Sequence, residues 1–219
     1  MRKVGANLKR VSVWLSALIL SAGIAVQAEA GPKKSPDQFL TEFGDQAIKL
    51  LSSNTADADQ RSEGLRNLLA KHFDVDFISR TVLARHWRKA SDDERTEFRQ
   101  LFEDYIVSVY GRRLGNYSGE HFQIGKIVRK GDDQAYVSSK IVRPAGPPVK
   151  VAWRLRGRDG KWRIVDIVVE GVSMAMTQRS EFGAVIRREG GNVSGLNAKL
   201  RELAGGRAKL VKKVAAKAS

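Results

Sequence analysis

The chain has 219 residues, with 39 Lys and Arg against 24 Asp and Glu for a formal charge of +15, and no cysteine. The missing cysteine excludes disulfides, thiol nucleophiles and cysteine-bound metals, so packing alone must hold the fold. A basic chain would ordinarily suggest nucleic acid, but the N-terminus argues for export, where anionic headgroups or an acidic partner protein are the commoner counterparts.

Arg2, Lys3, Lys9 and Arg10 precede an apolar run from Val11 to Val26, and Ala28-Glu29-Ala30 supplies a small-x-small processing site. That is the three-part build of a secretory signal peptide over residues 1–30, cleaved after Ala30; the run is short of the ~20 residues a membrane span needs. The predicted mature body, residues 31–206, is one domain, and residues 207–219 form a basic tail with no acid. Leader and tail account for +3 and +5 of the charge, leaving +7 on the body.

Ser35-Pro36-Asp37 reads as a helix start, with Ser as N-cap and Pro at the first helical position. Phe39, Leu40, Phe43, Ala47, Leu50 and Leu51 mark its buried stripe. A polar break from Ser52 to Asp59 precedes a second helix carrying Leu65, Leu68, Leu69 and Phe73. From Asp74 the segment FDVDFISRTVLARHW restarts the helical spacing, with Phe77, Ile78, Val82, Leu83 and Trp87 facing inward. Ser91-Asp92-Asp93-Glu94 is a capping box. It launches a helix predicted over Asp92 to Leu114, about 34 Å at 1.5 Å per residue, with Phe98, Leu101, Phe102, Tyr105, Ile106, Val109, Tyr110 and Leu114 at steps of three and four.

The period then drops to two. Strands are predicted at Phe122 to Val128, Ala135 to Val142, Val149 to Arg156 and Trp162 to Val169, with Asp159-Gly160 as a hairpin turn. With that two-residue loop, Leu155 should oppose Ile164, Trp153 should oppose Asp166 and Val151 should oppose Val168. One face would then be Val151, Trp153, Leu155, Ile164 and Val168, with Asp166 among them. Glu170-Gly171 should lead directly into a helix from Ser173 to Arg188, and a last amphipathic helix should span Ser194 to Ala204. The expected fold class is α+β, with a helix-rich first half, a sheet of about four strands and further helices after it.

Chemistry-bearing motifs are sparse. His72, His86 and His121 show no metal-ligand spacing, and no metal site is expected. Ser173, in EGVSM, matches no hydrolase context and suits an N-cap. Asp166 is the one carboxylate on an apolar face. It reads either as a general base with a raised pKa, making the chain an NTF2-like enzyme, or as a structural pin between sheet and helix.

Two stretches carry a family resemblance: WRIVDIVVEGVSMAMTQRSEFGAVIRREGG followed by LNAKLREL, and FDVDFISRTVLARHWRKASDDERTEFRQLFEDYIVSVYGRRLGNYSG. Together they resemble the MlaC (toluene-tolerance) family of periplasmic phospholipid-binding proteins over about residues 35 to 204. Ala84 stands where glycine is common, and the Lys-rich tail lies outside the usual pattern. The resemblance implies a twisted, mostly antiparallel sheet with surrounding helices, an NTF2-like cone, enclosing an apolar lipid cavity, and a periplasmic carrier, without catalysis or cofactor, that maintains outer-membrane lipid asymmetry. It implies as partners an inner-membrane ABC transporter with an MCE-domain protein and an outer-membrane lipoprotein/porin complex, with no nucleic acid and the carrier a monomer. A hopanoid-associated branch makes a polycyclic lipid the alternative cargo. By facing, the expected cavity residues are Leu83, Phe102, Tyr105, Ile106, Tyr110, Val151, Trp153, Ile164, Val168 and Met174, with Asp166 as the polar pin.

Overall fold

The computed structural model describes residues 32–52, 58–113 and 119–204, the side chains of 58 and 110–113 excepted. The predicted leader, the tail and Leu114 lie outside the described residues. Helix α1 runs Pro36–Ser52, α2 Ala58–His72, α3 Val75–Leu83, α4 Arg85–Lys89 and α5 Asp92–Arg113. Strands follow at β1 His121–Lys130, β2 Gln134–Val142, β3 Val149–Arg158, β4 Lys161–Val169 and β5 Val172–Ser173, then α6 Met174–Arg188 and α7 over residues 193–204. The five strands form one antiparallel sheet in sequence order.

The local signals act as their chemistry dictates. Gln38 Oε1 accepts the Ser35 backbone N–H at the start of α1 (3.1 Å). At α5, Ser91 N donates to Glu94 Oε2 (2.8 Å) and Glu94 N to Ser91 Oγ (3.1 Å), closing the capping box. Asp159 and Gly160 both take positive φ, 51° and 67°, which a tight hairpin turn matching strand twist requires.

Three expectations need correction. The helical segment from Asp74 is not continuous: it breaks at Ala84, whose φ of 49° and ψ of −119° end α3 and begin α4. An L-residue is strained there, which is the physical reason glycine suits the position. Trp87 packs against the helical core, half-buried with Arg80 and Arg95 beside its ring, whereas Phe77 joins neither core cluster and carries Arg156 on its ring.

The β3–β4 register shifts part-way along. Arg158 pairs with Lys161 and Leu155 with Ile164, as counted, but Val165 is then bulged out. Beyond it Arg154 opposes Asp166, Trp153 opposes Ile167, Ala152 opposes Val168 and Val151 opposes Val169. One unpaired residue moves every later side chain of β4 to the other set of partners. Trp153 therefore shares its face with Ile167, not with Asp166 or Val168. Finally, Glu170-Gly171 is not a plain exit: both take positive φ (46° and 85°) and turn the chain into the two-residue β5 before α6 begins.

Apolar residues collect in two clusters. One joins α3, α5, α6 and α7 around the stacked rings of Phe98 and Phe102, with Phe182 set edge-on to both. The other lies between α1 and the sheet, around Leu40, Val137, Trp153, Trp162 and Ile164. Its two indoles are satisfied: Trp153 Nε1 donates to Ser139 Oγ (2.8 Å) and Trp162 Nε1 to the Lys34 carbonyl (2.8 Å). Phe73 packs against both clusters.

Candidate functional site: an apolar cavity between helices and sheet

Between these two clusters lies a cavity of about 550 Å³, inside the ~300–1,000 Å³ range of small-molecule sites. Helix α1 contributes Phe43, Ala47, Ile48, Leu50 and Leu51, and α2 contributes Leu65, Leu68 and Leu69. Ile78 and Val82 reach it from α3, and Phe102, Tyr105 and Ile106 from α5. The sheet supplies Phe122, Ile141, Val151, Trp153, Val165, Ile167 and Val169, while Met174 and Ala175 come from α6. Phe43 is the hinge of the aromatic wall, set edge-on to both Phe73 (5.8 Å) and Trp153 (5.4 Å).

Polar groups are few and sit at the margins. Glu120, His121 and Arg143 line one end, where β1 begins and β2 finishes. Arg143 Nε and Nη2 both donate to the Pro147 carbonyl (3.1 and 2.6 Å), which ties its guanidinium to the β2–β3 connection. Asp166 and Gln178 line the side toward α6.

Asp166 is buried, and its oxygens are engaged. Oδ2 accepts from Ser173 Oγ (2.6 Å), Oδ1 accepts from the Ala175 backbone N–H (3.0 Å), and Arg154 Nη1 stands 3.5 Å away. Ser173 Oγ in turn accepts the Met176 N–H (3.2 Å) as the N-cap of α6. A carboxylate placed on free amides at a helix N-terminus is favourably sited with respect to the helix dipole. The bulge at Val165 is what turns this carboxylate toward α6.

Behind the cavity wall, His72 lies between the rings of Phe39 (5.5 Å) and Phe43 (5.3 Å). Burial, then the neighbouring Lys71 charge, lowers its pKa to about 4, so the ring is neutral near pH 7. Nε2 stands 3.3 Å from Gln46 Oε1, an acceptor, which assigns the ring proton to Nε2. Nδ1 has no partner. Among the described residues no group of His, Asp or Glu could hold a metal ion, and no helix is long and apolar enough to cross a membrane.

Of the residues anticipated for the cavity, Phe102, Tyr105, Ile106, Val151, Trp153 and Met174 are brought together on its wall. Leu83 and Ile164 are not among the lining residues; they are core, 1% and 0% exposed. Val168 is displaced by the bulge onto the row of Ala152 and Ser173. The Tyr110 side chain lies outside the described residues. The α1 and α2 contribution was not anticipated. Its signal was present: Ala47-Ile48 and Leu50-Leu51 are adjacent apolar pairs that widen the stripe beyond what one packing partner needs.

The MlaC protein family model matches residues 41–202, most of the chain. The chain belongs to the MlaC family. Among its relatives, the intermembrane phospholipid transport system binding protein MlaC of Haemophilus influenzae is 23% identical over 194 residues, covering 84% of this chain and 90% of that protein. The toluene tolerance protein ttg2D of Pseudomonas putida is 22% identical over 132 residues, 60% of this chain and 61% of that one. In structure, a phospholipid-binding protein from Ralstonia solanacearum, solved in complex with a phospholipid, superposes with a TM-score of 0.71. That match covers 80% of this chain and 99% of the other at 18% identity, a likeness of fold. The MlaC-family fold here is thus an α+β one in which sheet and helices enclose an apolar space.

Proposed function

We propose that this MlaC-family protein is a carrier that binds phospholipid by its acyl chains in the cavity and moves it between membranes, without catalysis. The observation that carries the reading is the cavity itself: about 550 Å³, walled by aliphatic and aromatic side chains from five helices and the sheet, with few polar groups. The names of its relatives, an intermembrane phospholipid transport binding protein and a phospholipid-binding protein, point the same way. Transferring one sixteen-carbon chain through water would expose some fifteen CH₂ groups at ~0.8 kcal/mol each, about 12 kcal/mol, so unassisted exchange is slow and a shielded cavity removes the cost. A general-base role for Asp166 is disfavoured because both its oxygens already accept from α6 and its cap.

In this reading the leader directs the chain to the periplasm, and cargo passes between an outer-membrane lipoprotein/porin complex and an inner-membrane ABC transporter with its MCE-domain protein. Organic extraction of the purified mature protein, followed by mass spectrometry, tests the cargo. Co-purifying glycerophospholipid in near-stoichiometric amount is the expected result. Recovery of polycyclic triterpenoid alone would replace phospholipid by a hopanoid cargo. A lipid-free protein that takes up nothing from liposomes would end the carrier reading.

A further inference from the structure

Charge is not shared evenly between sheet and helices. Residues 121–173, the sheet with its turns, hold eleven basic and five acidic side chains, a net +6 out of the +7 on residues 31–206. Arg129, on the row of Ala135 and over the Trp162 ring, and Arg143, at the cavity's end, lie on the apolar inner side; the other cations stand at the β3–β4 hairpin tip or on the outer side. There the rows read Lys130–Gln134–Arg156–Arg163, then Val128–Tyr136–Arg154–Asp166, and Gln123–Lys140–Lys150 near the cavity's polar end.

The arginines of this face are occupied. Arg154 stands by Asp166 and over Tyr136, Arg156 stacks on Phe77, Arg158 reaches Asp74, and Arg163 donates to the last carbonyls of α2. The lysines are not. Lys126, Lys130, Lys140 and Lys150 are exposed, and their ammonium groups have no ion pair or hydrogen bond among the described residues. Lys140 and Lys150 are directly opposed across β2 and β3, an arrangement that costs stability and that the fold gives no reason for. The acids of the region do not relieve it. Asp166 is spent on α6, Glu170 accepts the Lys150 backbone N–H, Asp159 sits by Arg158 at the hairpin tip, and Asp132 and Asp133 lie in the β1–β2 turn, beside Lys130 and far from this pair.

We propose that this outer sheet face is a landing surface for an anionic bilayer, engaging lipid phosphates through Lys126, Lys130, Lys140 and Lys150. The choice between a membrane and an acidic protein rests on residue type. Protein interfaces are depleted in Lys at their cores and use the fixed fork of Arg. Unpaired lysines spaced over a pleated face, with exposed Tyr136 and Val128 (43% and 48%) among them, suit a fluid array of phosphates instead. Arg143 and His121, which line the cavity's polar end, follow directly on the Lys140 row, so a protein landed on this face holds that end at the headgroup layer. The inference concerns the outer face and holds whatever the cavity carries.

The test is co-sedimentation of the full mature chain with phosphatidylcholine vesicles, with and without phosphatidylglycerol. Binding is expected only with phosphatidylglycerol and is expected to vanish by ~0.5 M salt, where charges more than a few ångströms apart are screened. At about fivefold per lysine, Lys126→Gln, Lys130→Gln, Lys140→Gln and Lys150→Gln together should weaken it by ~100-fold or more. A matched set on the helices (Lys49→Gln, Lys71→Gln, Lys89→Gln, Lys199→Gln) should weaken it less than tenfold. Circular dichroism and lipid content report whether the sheet variant is folded and loaded. A sheet variant that binds like the parent, or equal losses from both sets, overturns the proposal. A parent protein that yields no lipid on extraction yet shows this pattern of vesicle binding would instead count against the carrier reading alone.

Discussion

Ala84 offers a direct measurement of stored backbone strain. Its φ of 49° with ψ of −119° places an L-residue in a region comfortable only for glycine. The conformation is over-determined by its surroundings: the Ala84 N–H donates to the Arg80 carbonyl (2.9 Å) and its own carbonyl accepts from Trp87 (3.2 Å). Strain of this kind costs about 1–3 kcal/mol. Ala84→Gly relieves it but lengthens the list of unfolded conformers, a penalty of about 0.5–1 kcal/mol. The net expectation is a gain of about 1 kcal/mol, or roughly 2–4 °C in Tm for a domain of this size. Urea and thermal unfolding of delipidated protein read it out. A variant no more stable than the parent would mean that the α3–α4 junction carries no strain, and the account of that break would be wrong.

Other outcomes follow from the same geometry. The unfolded chain takes up a proton on His72 as pH falls through its ordinary value near 6.5, whereas the folded chain resists until about pH 4. The folded state therefore keeps its full stability above pH 6.5 and loses it as pH falls toward 4, by about 2–3 kcal/mol at pH 4.5; urea midpoints of parent and His72→Gln should diverge across that window and nowhere above it. Asp166→Ala strands the Ala175 amide and frees Ser173, at a cost of about 2–3 kcal/mol, and an unchanged urea midpoint would refute the pin. Ile106→Glu places a carboxylate on the cavity wall at a half-buried position; lipid recovered on extraction should fall at least tenfold while the far-ultraviolet spectrum is retained.

Much of the fold was legible because the signals were local. The capping box, the Asp159-Gly160 turn and the unbroken stripe of α5 each act within one turn or one hairpin, so pattern and structure agree. The misses in strand register and helix continuity came from single residues whose effect is non-local. Nothing in the string WRIVDIVV marks Val165 as bulged; the reason lies in the amides of α6, which claim Asp166 from nine residues downstream. Val168 left the inner face for the same cause. The broken helix at Ala84 was foreshadowed only by the glycine expected there. On the cavity, facing identified residues on both walls, but spacing cannot distinguish a side chain that meets a neighbour from one that meets a void. Leu83 and Ile164 are closed in by core, whereas Leu65 and Leu69, which read as ordinary core, border the cavity.

The two hydrophobic clusters have a further consequence. They face each other across the cavity, and Phe73 packs on both. Whatever fills the space between them is then building material as much as freight. A loaded molecule would melt as one body, with its midpoint raised according to how tightly and at what concentration the occupant binds. An emptied one would be two smaller bodies sharing a seam, each free to come apart at its own temperature. Calorimetry before and after delipidation would accordingly register occupancy as cooperativity, so that the melting curve becomes a manifest of what the protein is holding.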